Sequence, residues 1–184
     1  MRISLLVVMR QLSLFAILLG LGFSAGCAHY QLGTEAKLSF HTLYLAPVGN
    51  KAKLPQAVAV VTTQLRQAFI ADGRVTIVNS PDQADATLTV SLSDYGRAVT
   101  SARPDDTGLA RKFDLHLTAL CTLRDNRTAK VLFEQRAVSV EQQIFATPTP
   151  QQSDSNQLQA EYQALPQLAT KLADKVAHTA LDVW

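Results

Sequence analysis

The chain has 184 residues, 17 of them basic and 15 acidic, and a formal net charge of +2. Two of the basic residues, Arg2 and Arg10, lie in an apolar leader, so the rest of the chain is electrically neutral. A neutral chain has no overall field that attracts nucleic acid, and we expect no nucleic-acid partner. The length is enough for one domain with a substantial hydrophobic core.

The first 26 residues have the pattern of a secretory signal peptide. A basic start is followed by an apolar run over residues 14–23 and then by small side chains. This run is shorter than the roughly 20 apolar residues that span a bilayer comfortably. The start of translation stays open between Met1 and Met9, because the segment that begins at Met9 already contains a complete signal.

Cys27 directly follows Ser24, Ala25 and Gly26, and this arrangement resembles a bacterial lipobox. In such a sequence the leader is removed, and the Cys thiol carries a diacylglycerol that anchors the new N-terminus to a membrane. Ser24 stands where Leu is usual in a lipobox. The alternatives to a lipoprotein signal are a plain signal peptide and a membrane-spanning anchor. The pattern predicts a lipidation site at Cys27.

Lipidation of Cys27 would divide the chain into a signal peptide (1–26), a lipidated cysteine with its tether (27–40) and a single domain (41–184). Ala28 would be the second residue of the mature chain. Because Asp at this place retains lipoproteins in the inner membrane of enteric-type bacteria, Ala28 favours the outer membrane. We therefore expect an outer-membrane protein that is anchored by its N-terminal lipid.

Period-two alternation of apolar and polar residues predicts five strands. They cover residues 41–47, 74–79, 84–95, 109–124 and 130–143. The last strand changes phase between Phe133 and Val138, and a β-bulge between these two residues would reconcile the two halves. A tight turn over residues 125–128 precedes it, where Asp and Asn tolerate the positive φ that such turns need.

Two stretches with apolar residues on one side only predict helices over residues 56–71 and 156–183. Gly73 can end the first helix in a left-handed conformation. Pro166 must either kink the second helix or open its main segment. These elements predict an α+β fold: a two-layer sandwich with a mostly antiparallel sheet of four to five strands and both helices on one face.

No catalytic or metal-binding motif is present in the sequence. The four histidines are scattered and none has a second ligand at metal spacing, so we expect neither a metal nor another cofactor. Cys121 lies in phase with the apolar residues of its strand and is interpreted as a small core side chain rather than a nucleophile. We therefore expect a protein that is not an enzyme.

Several short motifs are similar, in the same order, to those of the LptE family of lipopolysaccharide-assembly lipoproteins. They are Cys27-Ala28-His29-Tyr30-Gln31-Leu32-Gly33, Leu43-Tyr44-Leu45-Ala46-Pro47, Asp72-Gly73-Arg74, Asp82-Gln83-Ala84-Asp85-Ala86-Thr87-Leu88, the pair Tyr95 and Arg97, and the hairpin over residues 120–132. Each motif alone is common, and their order behind a candidate lipidated cysteine carries the resemblance. The loop over residues 147–157 departs from it.

The resemblance implies that this protein plugs the lumen of the outer-membrane β-barrel LptD. The two proteins together would deliver lipopolysaccharide to the outer leaflet. Lipopolysaccharide would be a second partner, and cationic side chains are the natural contacts for its phosphates. Our candidates are Arg124, Arg127 and Lys130 at the hairpin tip, followed by Arg97 and Arg103. An ordinary solvated turn is the simpler interpretation of these charges.

Another function stays open on the sequence alone. Small α+β lipoproteins also serve other envelope machines, as activators of cell-wall synthases or as auxiliary subunits of ABC-type lipid transporters. Fold-level arguments do not separate these functions from that of a barrel plug.

Overall fold

The computed structural model describes residues 38–100, 111–146 and 153–182. The leader, Cys27, the tether up to residue 37 and Arg103 lie outside these residues, so the predictions made for them stay predictions. In chain order the elements are β1 (Thr42–Leu45), β2 (Gly49–Asn50), α1 (Pro55–Asp72), β3 (Thr76–Val78), a 3₁₀ turn (Pro81–Gln83), β4 (Ala86–Thr100), β5 (Arg111–Asp125), β6 (Val131–Ala146) and α2 (Ser153–Leu181).

The strands form one mixed sheet in the order β3-β1-β4-β5-β6, with β2 paired to β4 beyond the end of β1. The β4–β5 and β5–β6 pairs are antiparallel, whereas β1 runs parallel to both of its neighbours. The predicted α+β fold is confirmed, and the sheet is mixed and has six strands. The β1–β3 pair is parallel because α1 carries the chain back to the same end of the sheet before β3. The segment with the 3₁₀ turn returns the chain again before β4, so the β1–β4 pair is parallel as well.

Helix α1 begins and ends where the sequence predicts. Pro55 occupies its first turn, where the missing N–H costs no hydrogen bond. Gly73 follows the last turn with φ of 75° and donates its N–H to the carbonyl of Phe69 at 3.2 Å. The left-handed conformation expected for Gly73 is therefore confirmed.

Helix α2 is continuous over 29 residues and contains Pro166 in its interior, on the exposed side. Of the two alternatives for this proline, an opening of the main helical segment is wrong, because helix precedes it as well as follows it. Within the described residues, no helix combines the length and the apolarity needed to cross a membrane.

One face of the sheet is buried under the two helices. Alternate residues of the three long strands belong to the same buried cluster as the inner residues of α1 and α2. The strand residues of the opposite phase, such as Thr87, Thr89 and Thr122, are half-buried or exposed. In the described part of the chain, no helix or strand covers this second face, which we call the open face.

Two irregularities shift the phase of the long strands. In β4 the pairing with β5 skips Ser93 between Leu92 and Asp94. In β6 it skips residues between Phe133 and Arg136, and Gln135 takes a φ of 45° there. The bulge predicted between Phe133 and Val138 is therefore confirmed.

The turn between β5 and β6 is present at the predicted place. Its positive φ, 57°, belongs to Ala129 and not to the Asp or Asn residues that we expected to adopt it. The carboxylate of Asp125 instead organises the turn by accepting hydrogen bonds from the backbone.

Candidate functional site

The tip of the β5–β6 hairpin is built around the buried side chain of Asp125. One carboxylate oxygen accepts the backbone N–H groups of Arg127 at 2.8 Å and Thr128 at 3.0 Å. These bonds stabilise the ionised form, so the pKa of Asp125 lies below its ordinary value of 3.8. The backbone N–H of Asp125 donates to the carbonyl of Lys130 at 2.8 Å, which closes the turn.

Asn126 attaches this tip to the start of β4. Its backbone N–H donates to the carbonyl of Asp85 at 2.7 Å, and its side-chain amide donates to the carbonyl of Ala84 at 2.9 Å. The same amide lies 2.9 Å from the hydroxyl of Thr87. The hairpin tip is consequently held against the rest of the sheet and presents its side chains from a fixed position.

Arg127 is held by contacts within the protein. Its guanidinium donates to the carbonyl of Ser39 and lies 3.8 Å from a carboxylate oxygen of Asp85 and 3.7 Å from one of Asp125. Asp85 in turn accepts the backbone N–H groups of His41 at 2.8 Å and of Thr42 at 3.0 Å. Arg127 therefore ties the first described residues of the domain to the hairpin.

Arg124 and Lys130 are exposed and differ from Arg127 in their contacts. Within the described residues, neither side chain makes an ion pair or donates a hydrogen bond. Arg124 contributes to an open groove of about 460 Å³. The groove is lined by Thr87, Thr89, Thr122, Arg124, Asn126 and Val131. A guanidinium among hydroxyl and amide groups can bind a phosphate or the hydroxyls of a sugar.

Arg97 lies far from this groove. It belongs to β4, which extends beyond residue 95, where the predicted strand ended. It is opposite Leu115, whereas Arg124 is opposite Thr87. From Leu115 to Arg124 the strand advances about 30 Å at about 3.4 Å per residue. The structure therefore brings the three hairpin cations together and leaves Arg97 at the other end of the sheet.

The contacts of Arg97 are with helix α2. Its guanidinium donates to one carboxylate oxygen of Glu161 at 2.8 Å, and the hydroxyl of Tyr95 donates to the other at 3.2 Å. Burial and the neighbouring Glu161 raise the pKa of Tyr95 to about 12, so this hydroxyl keeps its proton at neutral pH. Both side chains face the helix because the bulge at Ser93 reverses the phase of β4.

Thr87 and Thr89 alternate with apolar residues in the sequence, but their grouping with Thr122 around Arg124 is visible only in the structure. Thr87 and Thr122 lie on paired strands but are more than thirty residues apart in the chain. No local pattern contains such a pairing. Asp85 was missed as a partner of Arg127 for the same reason.

The fold and the hairpin define a class of protein: a two-layer α+β domain with a mixed sheet. Among the described residues, helices cover one face of this sheet only. A solved structure with the same fold is similar to this chain. The hypothetical protein CT253 from Chlamydia trachomatis matches with a TM-score of 0.50 and 6% identity, over 78% of this chain and 96% of its own.

Two further solved structures match with lower TM-scores. A minor lipoprotein from Acinetobacter baumannii gives 0.44 at 15% identity, over 77% of this chain and 96% of its own. The rare lipoprotein B from Shewanella oneidensis gives a TM-score of 0.45 at 12% identity, over 76% of this chain and 92% of its own. No curated protein sequence matches the chain.

The family itself is shown by sequence. The profile of the LptE family, described as lipopolysaccharide-assembly, matches residues 40–178 and so covers most of the chain. The chain belongs to the LptE family of envelope lipoproteins. The resemblance drawn from its motifs is confirmed.

Proposed function

We propose that this protein is lipidated at Cys27 and acts at the outer membrane as the plug and assembly partner of an LptD β-barrel. The observation that carries the proposal is the family match over residues 40–178, which includes nearly all of the described domain. The role of the pair would be to pass lipopolysaccharide to the outer leaflet. Family membership favours this role over those of a synthase activator or a transporter subunit.

The surface of the domain supports a position inside a barrel. The interior of an outer-membrane barrel is polar, so a plug needs polar side chains on its outer surface. The open face of the sheet carries hydroxyl groups of Thr87, Thr89 and Thr122 beside Arg124. This face can exchange its hydrogen bonds with water for hydrogen bonds with polar barrel residues.

Arg124 and Lys130 are the residues that we propose for contact with lipopolysaccharide phosphates. Both are exposed at the hairpin tip, and neither is neutralised by a described carboxylate. Arg127 would act by holding the tip in position, because its guanidinium is engaged with Asp85 and Asp125. This division of roles makes different predictions for the three cations.

Purification of the tagged full-length chain from detergent-solubilised outer membrane tests the partnership. We expect a large β-barrel to be recovered in equal amount and to be identified as LptD-like by mass spectrometry. The mass of the N-terminal peptide from the same sample tests lipidation, and a Cys27→Ser variant is its control. Recovery of a synthase or a permease in place of a barrel would contradict the proposal.

Charge reversal at the hairpin tests the contact with lipopolysaccharide. The double change Arg124→Glu and Lys130→Glu should lower binding of purified lipopolysaccharide at least tenfold, because repulsion replaces two phosphate contacts. The control is Lys51→Glu with Lys53→Glu, which makes the same change in charge at two exposed lysines outside the hairpin. Equal binding by the hairpin variant and the parent would remove both residues from the proposed contact.

A further inference from the structure

Strand β6 forms one outer edge of the sheet and is 16 residues long. In the described part of the chain, only β5 pairs with it. A long edge strand exposes a row of unpaired backbone groups, which is a template for the addition of another strand. The opposite edge is formed by β3, which has three residues and is too short to be an equivalent template.

Three backbone carbonyls of β6 receive hydrogen bonds from side chains instead of from a strand. Lys175 donates to the carbonyl of Ser139 at 2.8 Å, and Lys171 donates to that of Glu141 at 3.1 Å. The side-chain amide of Gln142 donates to the carbonyl of Gln143 at 3.0 Å. Alternate residues of an edge strand direct their backbone groups outward, and these three carbonyls follow that spacing.

The two lysines reach the edge from one side of α2. They are four residues apart, so they lie on neighbouring turns of the helix with a rise of about 6 Å between them. The carbonyls that they contact belong to residues two apart on β6, which are separated by about 7 Å. The matching spacing allows both ammonium groups to cover the strand at the same time.

The remaining part of β6 is protected differently. Between Val131 and Arg136 the pairing with β5 shifts twice, and Gln135 has a φ of 45°. Bulges of this kind twist a strand edge and prevent regular pairing with another chain. The side-chain donors therefore cover the part of the edge that is regular.

We propose that Lys171, Lys175 and Gln142 close the regular part of the β6 edge against pairing with a second copy of this chain. The backbone groups of an antiparallel edge are complementary to themselves across a two-fold axis, so a second copy supplies a matching row of donors and acceptors. This inference is independent of the proposed function.

Replacement of Lys171 and Lys175 by Met tests the closure. Met keeps most of the apolar length of the lysine side chain and removes the ammonium donor. In the full chain in detergent, size-exclusion chromatography with light scattering should show a monomer for the parent and, for the variant, a protein mass that rises about twofold with concentration. Lys51→Met with Lys53→Met removes the same charge elsewhere and should stay monomeric.

A proline placed on the edge tests whether β6 itself pairs. The N–H of Glu141 points outward like its carbonyl, so Glu141→Pro removes an edge donor and keeps the hydrogen bonds to β5. Added to the double Met variant, it should restore the monomer. In the double Met variant without the proline, amide hydrogen exchange at Ser139 and Glu141 should be slower than in the parent, because these amides become paired.

The proposal would be overturned by a parent that is already dimeric, by a folded double Met variant that stays monomeric, or by association that persists with the proline. If the double variant fails to fold, the single change Lys175→Met is measured in the same way. Association of the Lys51 and Lys53 control would equally overturn it, because loss of charge would then be the cause.

Discussion

Gly96 and His116 face each other across β4 and β5. A Cβ atom at Gly96 would lie 2.3 Å from Cε1 of the His116 ring, so the ring occupies the space that a side chain would need. In this position the His116 Nε2 atom is 3.0 Å from the Asp94 carboxylate. The absence of a side chain at one residue thus positions the ring of another.

Gly96→Ala should therefore have opposite effects in two backgrounds. In the parent it displaces the His116 ring from Asp94 and lowers the free energy of unfolding. In a His116→Ala background no ring is displaced, and the lower entropy of the unfolded chain should raise stability by about 0.4–1 kcal/mol. Urea unfolding of the four proteins should give a coupling of about 1 kcal/mol. A coupling near zero would contradict the packing of this ring against Gly96.

Asp85 makes the stability of the domain depend on acid pH. The backbone N–H groups of His41 and Thr42, and to a smaller extent the charge of Arg127, lower its pKa from the ordinary value of 3.8. The unfolded chain consequently binds more protons than the folded chain in this range, and stability rises with pH. The contribution of Asp85 is complete above the unfolded pKa and is lost as pH falls through the folded pKa.

Asp85→Asn should make this acid dependence shallower. The Asn side chain still accepts hydrogen bonds through its oxygen but no longer titrates, so the variant isolates the effect of the charge. Free energies of unfolding measured in urea between about pH 2 and pH 6 give the slope. Asp82→Asn, three residues earlier, is the control for loss of a carboxylate. Identical slopes for the parent and Asp85→Asn would contradict the linkage.

At the scale of elements, the sequence predicted the helices and the long strands because their patterns are local. The apolar sides of α1 and α2 repeat over many turns, and the phase change of β6 revealed its bulge. The bulge at Ser93 left no such signal, because polar residues follow it and hide the change of phase. Tyr95 and Arg97 therefore point toward α2, although simple alternation with Leu92 would place them on the open face.

The parts that the sequence did not reveal depend on partners distant in the chain. Strand β2 has two residues and no pattern of its own, and it is defined by its pairing with β4. Arg127 has the composition of an exposed turn residue, and its role follows from Asp85, which is 42 residues earlier. Such contacts are determined by the packing of the whole sheet.

The bulge in β6 offers a test at the scale of this element. Gln135 has a φ of 45°, a region in which a residue with a side chain is strained and glycine is not. Gln135→Gly should leave the free energy of unfolding unchanged or raise it by up to about 1 kcal/mol. Glu134→Gly, at the neighbouring residue without positive φ, should lower it by about 0.5–1 kcal/mol. Thermal or urea unfolding distinguishes the two, and equal losses would contradict the strained backbone.

At the scale of the whole molecule, the described strands and helices share one hydrophobic core. Cys121 lies at its centre on β5 and is completely inaccessible to solvent. Burial raises the pKa of its thiol to about 12, so the reactive thiolate is scarce even if a reagent approaches. The thiol should therefore react only when the core opens.

The rate at which Cys121 is alkylated should consequently report the cooperative unfolding of the domain. Under native conditions with fast reclosing, labelling is proportional to the population of the open state, so its free energy should equal that from urea unfolding. Mass spectrometry of the peptide that contains Cys121 separates this reaction from labelling at Cys27. Gly96→Ala should accelerate labelling by the factor that corresponds to its loss of stability, about tenfold for 1.4 kcal/mol. Labelling that is much faster than global unfolding allows would mean that the sheet separates from its helices in a smaller opening, and the single core would then not unfold as one unit.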